Sequence, residues 1–354
     1  MKPETLKTNV LIIGKGVSGL LLSILLERNG ISSIILDREA KKKPLILAET
    51  LPPSTLKLLE ELDILHHFEA NSTKTYGYQS IWNTTEIIEE NFFAMNPYKY
   101  GLKLNKQQLI NCLEKLSPKI IQQKNNANIK LEITKVLTSF KKKNLSENYI
   151  ESDFIIDATG RNRAVTSSLG IPSITHDNTL AFICYLPKNG PHLKYGFLTE
   201  SFENGWGTIS NLNETTQILT LYTSKNNKLK RPLNCFTNWK NILSETILLK
   251  QYLPENGVFK IMGKQANSSI VSKTSGKNWL AIGDAALSFD PIASHGVSNA
   301  IYTANEASKA IIKHYEEPKQ NSLESYDENL HLIFNEYIKL KENLYVTQNI
   351  SGVS

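Results

Sequence analysis

Three glycines near the start of the chain have the spacing of a dinucleotide-binding turn. Gly14, Gly16 and Gly19 follow the unbroken apolar run 10–13 and lead into an apolar helical stretch. In such a turn the first glycine permits the tight bend, the second lets the backbone approach a pyrophosphate, and the third lets the helix pack closely on the strand. Amides at the helix start would then face the phosphates. The predicted phosphate-binding residues are Gly14, Gly16, Val17, Ser18 and Gly19.

An acidic residue follows the next predicted strand. The run 33–36 is apolar after its serine and ends at Asp37, with Arg38 beside it. Asp37 comes 18 residues after the third glycine, close to the spacing of about 20 at which an acid binds a ribose hydroxyl. A carboxylate favours a ribose with a free hydroxyl, which indicates FAD or NAD rather than NADP. Glycines that merely break a helix would not require the two flanking strands.

A second glycine-centred signal lies near the end of the chain. Residues 279–286 read WLAIGDAA, and residues 290–300 read DPIASHGVSNA before a further helical stretch. A helix that begins near Gly296 would present free amides and a positive partial charge. Such a terminus can stabilise an anionic ring or a developing oxyanion.

Three segments together resemble the FAD-dependent monooxygenase superfamily. Residues 155–161, which read IIDATGR, resemble its ATG segment, and residues 283–286 and 290–300 resemble the elements around the flavin. The resemblance extends from Asn9 to about Ala310. It implies an α/β fold of the glutathione-reductase or p-hydroxybenzoate-hydroxylase type, with an inserted β-sheet substrate domain and FAD as cofactor. It also implies cofactor contacts at Ala158, Thr159, Gly160, Gly283, Asp284, Pro291, Gly296 and Val297.

Two further cofactor-side residues follow from the same resemblance. Residues 48–53 are similar to the halogenase-like segment Gly-Glu-(Ser or Ala)-x-x-Pro, which implies that Glu49 lies near the flavin. The alternative is that Glu49 only precedes a helix over 54–62. Lys106, after Asn105, stands where the superfamily often has Asp-Arg before a helix. It is either a phosphate or ribose contact or a solvated lysine at the start of a helix predicted to begin at Lys103.

The strand–helix alternation is interrupted twice, which predicts a discontinuous domain organisation. Residues 1–75, 101–170 and 266–320 are assigned to the FAD-binding domain, and residues 76–100 and 171–265 to a substrate-binding β-sheet layer. Strands are predicted over 180–186, 194–199, 207–212 and 217–223, separated by turn residues. Residues 321–354 are assigned to a C-terminal helix, predicted over 323–348, whose apolar positions have helical periodicity.

Within the superfamily the chain is similar to the flavin-dependent halogenases and their relatives. Their Gly-Trp-x-Trp-x-Ile-Pro segment is matched only at Gly205 and Trp206, and Lys74 is a loose candidate for their catalytic lysine. A closer resemblance, to the flavoprotein maturation factors of tryptophylquinone-containing amine and amino-acid oxidases, rests on residues 49–53, 76–82, 205–206 and 288–300 and on the chain length. That resemblance implies hydroxylation of an aromatic ring through a flavin C4a-(hydro)peroxide, including that of tryptophan within a precursor protein.

Few side chains are candidates for the reaction itself. His295, beside the predicted helix start, is the candidate acid–base group, because an unperturbed histidine titrates at about 6.5. The alternative is a histidine that only hydrogen-bonds its loop. Trp82 and Trp206 are candidates for the substrate pocket, although buried aromatic side chains are often simply core.

The length and composition are those of a globular protein with a large buried core. The 354 residues carry a net charge of +6 without a basic block, so nucleic acid is not an expected partner. Three isolated cysteines predict neither disulfides nor a metal site. No apolar run has the length of a membrane span, and the start lacks a hydrophobic signal core, so a cytoplasmic protein is expected.

Three other functions remain open alongside hydroxylation. They are halogenation, reduction of lipid double bonds by an enzyme similar to geranylgeranyl reductase, and a flavin-binding partner protein without turnover. The expected substrate is an aromatic small molecule or a precursor protein that presents tryptophan. NAD(P)H or a reductase would supply the electrons.

Overall fold

The computed structural model describes residues 5–39, 45–95, 97–123, 127–131, 135–141, 147–225, 232–293, 295–318 and 320–346. Ser294, within the segment 290–300 considered above, therefore lies outside the described residues. The helices in this part of the chain are α1 Val17–Arg28, α2 Pro53–Glu61, α3 Leu65–Glu69, α4 Lys106–Leu116, α5 Ala164–Ser168, α6 Phe236–Leu243, α7 Gly296–Glu316 and α8 Ser322–Val346.

The strands alternate with these helices in the first part of the chain and follow one another in its middle. In chain order they are β1 Thr5–Ile13, β2 Ser33–Arg38, β3 Glu49–Leu51, β4 Ser72–Thr75, β5 Gly77–Ile81, β6 Ile88–Asn91, β7 Gly101–Leu104, β8 Ile120–Gln123, β9 Asn128–Leu131, β10 Val136–Lys141, β11 Glu147–Asp157, β12 Ser173–Thr175, β13 Thr179–Pro187, β14 Phe197–Phe202, β15 Gly205–Asn211, β16 Thr216–Ser224, β17 Ile261–Gln265, β18 Ser269–Val271, β19 Ser275–Gly276, β20 Trp279–Ala281 and β21 Leu287–Ser288.

The first strand lies at the centre of an eight-stranded sheet. The order is β19-β20-β11-β1-β2-β8, and the β9–β10 hairpin pairs with the first half of β11. The strands from β20 to β8 run parallel. Residues 10–13 are buried, as expected for a parallel strand covered on both faces. Helices α1 and α7 pack against each other on this sheet, so the two glycine-centred segments share one domain.

A second sheet has seven strands in the order β17-β13-β16-β15-β14-β5-β6. All its pairs are antiparallel except β14 with β5. Its strands come from residues 77–91 and 179–265, within the two stretches that the sequence assigns to a substrate layer. Helix α6 covers one face, where the Trp239 indole donates a hydrogen bond to the Phe182 carbonyl at 3.0 Å. The opposite face is left for the site described below.

Two local expectations are wrong. The helix predicted to begin at Lys103 begins at Lys106, because residues 101–104 form the strand β7 between β3 and β4. The Asn105 side chain caps that helix by accepting from the Gln108 N–H at 3.2 Å. The strand predicted from residue 194 begins at Phe197, because the preceding Gly196 has a positive φ of 69° and breaks the extended backbone.

The C-terminal helix α8 packs on α7, with Leu330 and Phe334 fully buried. Among the described residues, no helix is both long enough and apolar enough to cross a bilayer.

Candidate active site

A cavity of about 1300 Å³ lies between the two large sheets. Its lining comes from the carboxyl ends of β1, β2 and β11, from the starts of α1 and α7, and from the face of the seven-stranded sheet that α6 does not cover. The position at the carboxyl ends of parallel strands is where open α/β sheets bind ligands. The cavity brings together Gly14, Gly16, Val17, Ser18, Asp37, Arg38, Glu49, Lys106, Ala158, Thr159, Gly160, Asp284, Pro291, His295, Gly296 and Val297.

The three glycines of the first turn differ in their surroundings. Gly14 has a φ of 107°, and a Cβ there would lie 2.5 Å from the Ala158 carbonyl oxygen. A Cβ on Gly19 would lie 2.3 Å from the Gly14 oxygen, so Gly19 packs behind the cavity. A Cβ on Gly16 would meet no atom within 4 Å. Gly16 therefore presents open backbone at the start of α1, where a phosphate can approach.

The two glycine-centred segments touch each other. A Cβ on Gly283 would lie 2.9 Å from the Ser18 hydroxyl oxygen, and Gly283 has a φ of 58°. Its N–H donates to the Thr303 hydroxyl of α7 at 2.8 Å. Gly283 itself is behind the cavity wall, whereas its neighbour Asp284 lines it. Residues 283–286 are thus anchored to both of the helices that begin at the cavity, α1 and α7.

Asp37 stands at the carboxyl end of β2, at one end of the cavity. The Lys15 N–H donates to its Oδ1 at 3.4 Å, and the Lys15 ammonium pairs with Glu114 at 2.6 Å. Burial raises the pKa of Asp37 above its ordinary value, although Lys15 opposes the shift. The carboxylate is placed to accept hydrogen bonds from a diol.

Glu49 and Lys106, which the sequence treats separately, form an ion pair. The Lys106 Nζ lies 2.7 Å from Glu49 Oε1. Burial lowers the pKa of Lys106, but the pairing with Glu49 outweighs it and the pKa is raised. Among the described residues, the buried Glu49 Oε2 has no hydrogen-bond partner. An unpartnered carboxylate oxygen beside a cavity fits a ligand that donates to it.

The Asp157 carboxylate, which the sequence analysis did not identify as a site residue, holds the segment 158–160 at the cavity. Asp157 is fully buried at the end of β11. Its Oδ1 accepts from the N–H and hydroxyl of Thr159, at 3.1 and 2.7 Å. Its Oδ2 accepts from the N–H groups of Val165 and Thr166 at the start of α5, at 3.0 and 2.8 Å. Asp157 therefore fixes the turn rather than facing the cavity.

Two arginines connect that turn to the late segment. Arg163, at a left-handed φ of 48°, donates to the Ala285 and Ser269 carbonyls, both at 3.2 Å. The Arg161 Nε lies 3.6 Å from Asp284 Oδ2. Arg163 is identified as unusual by its positive φ, which is uncommon for a residue other than glycine. No sequence pattern predicts this backbone conformation.

The start of α7 opens onto the cavity. A Cβ on Gly296 would meet no atom within 4 Å, so its backbone is accessible. The Asn299 N–H donates to the His295 carbonyl at 2.7 Å, and the Asn299 amide donates to the Leu287 carbonyl at 2.9 Å. Pro291 begins a short 3-10 turn just before the helix. The first N–H groups of the helix are available to a ligand.

His295 lies at this helix start and borders the cavity. Partial burial by the surrounding protein lowers the pKa of the imidazole below its ordinary value, although the residue keeps contact with solvent. The ring is therefore neutral near pH 7, and a neutral imidazole can accept a proton. The Phe289 ring lies beside it, with centroids 6.0 Å apart.

A buried ion cluster holds the loop before α7 from behind. The Lys341 ammonium, on α8, lies 2.5 Å from Asp177 Oδ2 and 3.2 Å from Asp290 Oδ2. Tyr345 donates a hydrogen bond to the same Asp290 oxygen at 3.2 Å. Burial raises the pKa of Asp177, but Lys341 outweighs it and the net shift is downward. Sequence reasoning missed Lys341, although it falls on the apolar face of α8 that also carries Phe334.

The two tryptophans assigned to the pocket lie outside its described lining. Trp206 stacks on Tyr222, with ring centroids 3.9 Å apart, and Tyr222 does line the cavity. Trp82 lies beyond Trp206, at a centroid distance of 6.2 Å. Lys74 also lies outside the described lining of the cavity, where its ammonium pairs with Glu69 at 3.5 Å.

Metal-binding geometry is absent from the described residues. They contain no group of three or more histidine, cysteine or acidic side chains that could hold an ion. The three cysteines are free thiols.

Comparison with known proteins identifies the family of this chain. The family model described as an FAD binding domain matches residues 7–340. LodB of Marinomonas mediterranea, described as an FAD-dependent oxidoreductase, is 22% identical over 344 residues, which cover 95% of this chain and 92% of LodB.

Solved structures share the fold at low identity. The p-nitrophenol 4-monooxygenase PnpA from Pseudomonas putida has a TM-score of 0.80 at 15% identity, covering 98% of this chain and 90% of PnpA. The flavin-dependent halogenase CmlS has a TM-score of 0.79 at 19% identity, covering 94% of this chain and 62% of CmlS. The peptidyl tryptophan dihydroxylase QhpG has a TM-score of 0.75 at 14% identity, covering 98% of this chain and 77% of QhpG. The chain belongs to the FAD binding domain family and is an FAD-dependent oxidoreductase with the p-hydroxybenzoate-hydroxylase type of fold.

Proposed function

We propose that the protein is an FAD-dependent monooxygenase that hydroxylates an aromatic ring, and that this ring is a tryptophan side chain presented by a precursor protein. The observation that carries the proposal is the continuity of the cavity. One space joins the open helix starts at Gly16 and Gly296 to the uncovered face of the seven-stranded sheet. A cofactor at the helix starts and a ring under the sheet would then be in contact.

The chain's residues fit FAD along one side of this space. Backbone amides from Gly16 to Ser18 would bind the pyrophosphate, and Asp37 would accept hydrogen bonds from the adenosine ribose. The unpartnered Glu49 Oε2 and the adjacent Lys106 would bind polar groups nearer the flavin. The amides at the start of α7 would face the isoalloxazine edge. When bound, FAD supplies the two-electron chemistry that activates dioxygen.

The opposite side of the space suits an aromatic ring. In β16 the side chains alternate: Ile218, Thr220 and Tyr222 line the cavity, while Leu219 and Leu221 pack under α6. The cavity face therefore combines apolar and hydroxyl-bearing side chains, since Thr220 and Tyr222 carry hydroxyl groups and Ile218 does not. Its apolar part can hold a ring and exclude water, which favours oxygen transfer over its loss to solvent.

His295 is the residue proposed to move a proton. Its lowered pKa keeps the imidazole neutral near pH 7, so it would accept the proton that the ring loses on hydroxylation. His295 lies one residue before the open helix start. This position would hold the imidazole beside both the cofactor and the ring.

Three of the similar proteins support the proposal. PnpA is named as a monooxygenase of an aromatic phenol, and QhpG as a peptidyl tryptophan dihydroxylase essential for tryptophylquinone cofactor biogenesis. LodB extends the similarity over nearly the whole of both chains. Halogenation is less well supported, because Lys74, the loose candidate for a halogenase lysine, lies outside the described cavity lining. NAD(P)H or a partner reductase is the expected source of electrons.

Isotope incorporation separates the candidate reactions. The FAD-loaded protein, reduced chemically, would be mixed with ¹⁸O₂ and a tryptophan-containing peptide in the presence of chloride or bromide. The proposal expects the peptide to gain ¹⁸O and no halogen. Halogen incorporation would show a halogenase, whereas an unchanged peptide would support either a lipid reductase or a partner protein without turnover. Both outcomes contradict the proposal.

A further inference from the structure

Exposed apolar side chains are concentrated in one short stretch, residues 76–95, which we call the acidic hairpin. It contains strands β5 and β6 with their flanks. Five of the 14 large hydrophobic side chains that are exposed in the described chain belong to it, Phe93 being the most exposed of them at 59%. The five are Tyr76, Ile87, Ile88, Phe93 and Met95. A cluster of this kind is unusual on a free surface and marks an interaction site.

The hairpin also carries a charge opposite to that of the whole chain. Glu86, Glu89 and Glu90 lie within it, and no lysine, arginine or histidine occurs between residues 75 and 98. Lys194 offsets one of these charges by pairing with Glu89. The protein as a whole has a net charge of +6. An acidic, apolar patch on a basic protein is complementary to a basic, apolar segment of another molecule.

The backbone of the hairpin offers a site for strand addition. β6 is the last strand of the seven-stranded sheet, with β5 as its neighbour, and all four of its residues are exposed. Its outer edge leaves N–H and C=O groups that can pair with an added strand. Tyr76 and Phe93 stack at 6.0 Å between ring centroids and flank this edge with a flat apolar surface.

The hairpin is continuous with the wall of the cavity. β5 pairs with β14, and Phe197 at the start of β14 lines the cavity. A chain that adds to β6 would therefore run along the same sheet under which the substrate ring is proposed to lie. An anionic bilayer is a poorer occupant, because three glutamates would repel it.

We propose that the acidic hairpin docks an extended, apolar and basic segment of the precursor protein as an additional strand on β6. The proposal rests on the proposed function, since a small-molecule substrate would need no such surface. It assigns the hairpin to recognition of the protein partner, separately from the cavity that receives the ring.

The test uses a labelled peptide of about ten residues, the length of a long strand, that alternates lysine with valine and ends in one tryptophan. Its affinity for the FAD-loaded protein would be measured by fluorescence anisotropy, and backbone protection by hydrogen exchange. We expect slower exchange at residues 88–91 on binding. Phe93→Ser and Glu86→Lys should each weaken binding about tenfold, because each removes a complementary contact at the surface. Val258→Ser, at an exposed apolar residue outside the hairpin, is the matched control and should leave the affinity unchanged.

Several results would overturn the docking proposal. They are equal affinities in all variants, protection elsewhere in the sheet, or Phe93-dependent binding of anionic lipid vesicles in place of the peptide. The FAD content of each variant shows that it is folded. Hydroxylation of N-acetyltryptophanamide, which is too small to reach the hairpin, distinguishes the two proposals. If that compound gains oxygen equally with every variant while peptide binding does not depend on the hairpin, only the docking proposal fails. If peptides bind at the hairpin and nothing gains oxygen, only the proposed function fails.

Discussion

At the scale of single residues, the three glycines of the first turn have different structural roles although they belong to one motif. Gly14 and Gly19 have neighbours so close that a methyl group would meet backbone oxygen, at 2.5 and 2.3 Å. Gly16 faces open space and has an ordinary φ of −71°. Gly14 and Gly19 are therefore required for close packing of the fold, whereas Gly16 leaves room for a ligand.

This difference gives a direct test with matched variants. Gly16→Ala should leave the melting temperature of the FAD-free protein within about a degree, because neither strain nor collision arises. It should weaken FAD binding by about tenfold or more, since the methyl group occupies the space proposed for the pyrophosphate. Gly19→Ala should instead destabilise the FAD-free protein by about 1–3 kcal/mol through overpacking. Thermal unfolding and FAD titration of both variants measure these effects, and a Gly16→Ala variant that binds FAD normally would contradict the assignment.

Asp37 gives the FAD affinity a pH dependence. Burial raises the pKa of this carboxyl in the FAD-free protein. The ionised form is the stronger acceptor for ribose hydroxyls, so FAD affinity should fall as the pH drops through the raised pKa, which lies above the ordinary 3.8. Asp37→Asn should bind about 10- to 100-fold more weakly at neutral pH, since a hydrogen bond to a charged group contributes about 1.5–3 kcal/mol, and should lack this pH dependence. A parallel pH profile in the variant would exclude Asp37 as the cause.

At the scale of elements, the C-terminal helix supports the active-site loop from behind. Lys341 on α8 contacts Asp177 before β13 and Asp290 before α7. Tyr337, also on α8, accepts a hydrogen bond from the Asp290 N–H at 2.8 Å. These contacts connect α8 to the second sheet and to the loop that leads to Gly296.

Breaking this cluster should destabilise the fold strongly. Lys341→Met leaves two buried carboxyls without their cation, and removal of one member of a buried ion pair costs about 3–5 kcal/mol. Lys341→Met combined with Asp177→Asn should recover part of that loss. Lys339→Met, at an exposed lysine on the same helix, is the control and should change little. Urea unfolding provides the free energies, and equal effects at 341 and 339 would contradict the argument.

The same cluster predicts how stability changes with acid. Lys341 lowers the pKa of Asp177 against the effect of burial. A depressed pKa means that this contribution is fully present above the ordinary value of 3.8 and is lost as the pH falls through the lower folded value. The contribution of Asp177 to the unfolding free energy should therefore decline below about pH 4, so the difference between the wild type and Asp177→Asn should shrink there. Burial raises the pKa of Asp290 in the same cluster, and its contribution changes with pH in the opposite direction. Identical acid profiles would show that Asp177 is not ionised in the fold.

At the scale of the whole molecule, most residues that the sequence assigns to the cofactor line the cavity, whereas the two tryptophans that it assigns to the substrate pocket do not. Short patterns such as the first glycine turn and the WLAIGDAA segment require specific backbone geometry, so they identify their elements locally. The Glu49–Lys106 pair and the Lys341 cluster join residues far apart in the chain, and no local pattern shows which of them meet. The helix expected from Lys103 was wrong for the same reason, because strand pairing of residues 101–104 with β3 and β4 overrides local preference.

FAD should also stabilise the molecule as a unit, because the cavity it would enter is bounded by both large sheets. A ligand at 100 times its dissociation constant adds about 2.7 kcal/mol to the free energy of unfolding. Removal of FAD should therefore lower the melting temperature by several degrees in one cooperative transition. Calorimetry of the loaded and FAD-free protein measures this. A shift confined to part of a biphasic transition would show that only one sheet contributes to the site.

The central claim is that one FAD molecule spans the cavity, with its pyrophosphate at the start of α1 and its isoalloxazine at the start of α7. A difference electron density map from crystals of the FAD-loaded protein tests it most directly. We expect continuous density in which the pyrophosphate contacts the Gly16 backbone and the ring edge contacts the Gly296 backbone. Density for the flavin away from α7, or a pyrophosphate that does not approach Gly16, would contradict the account.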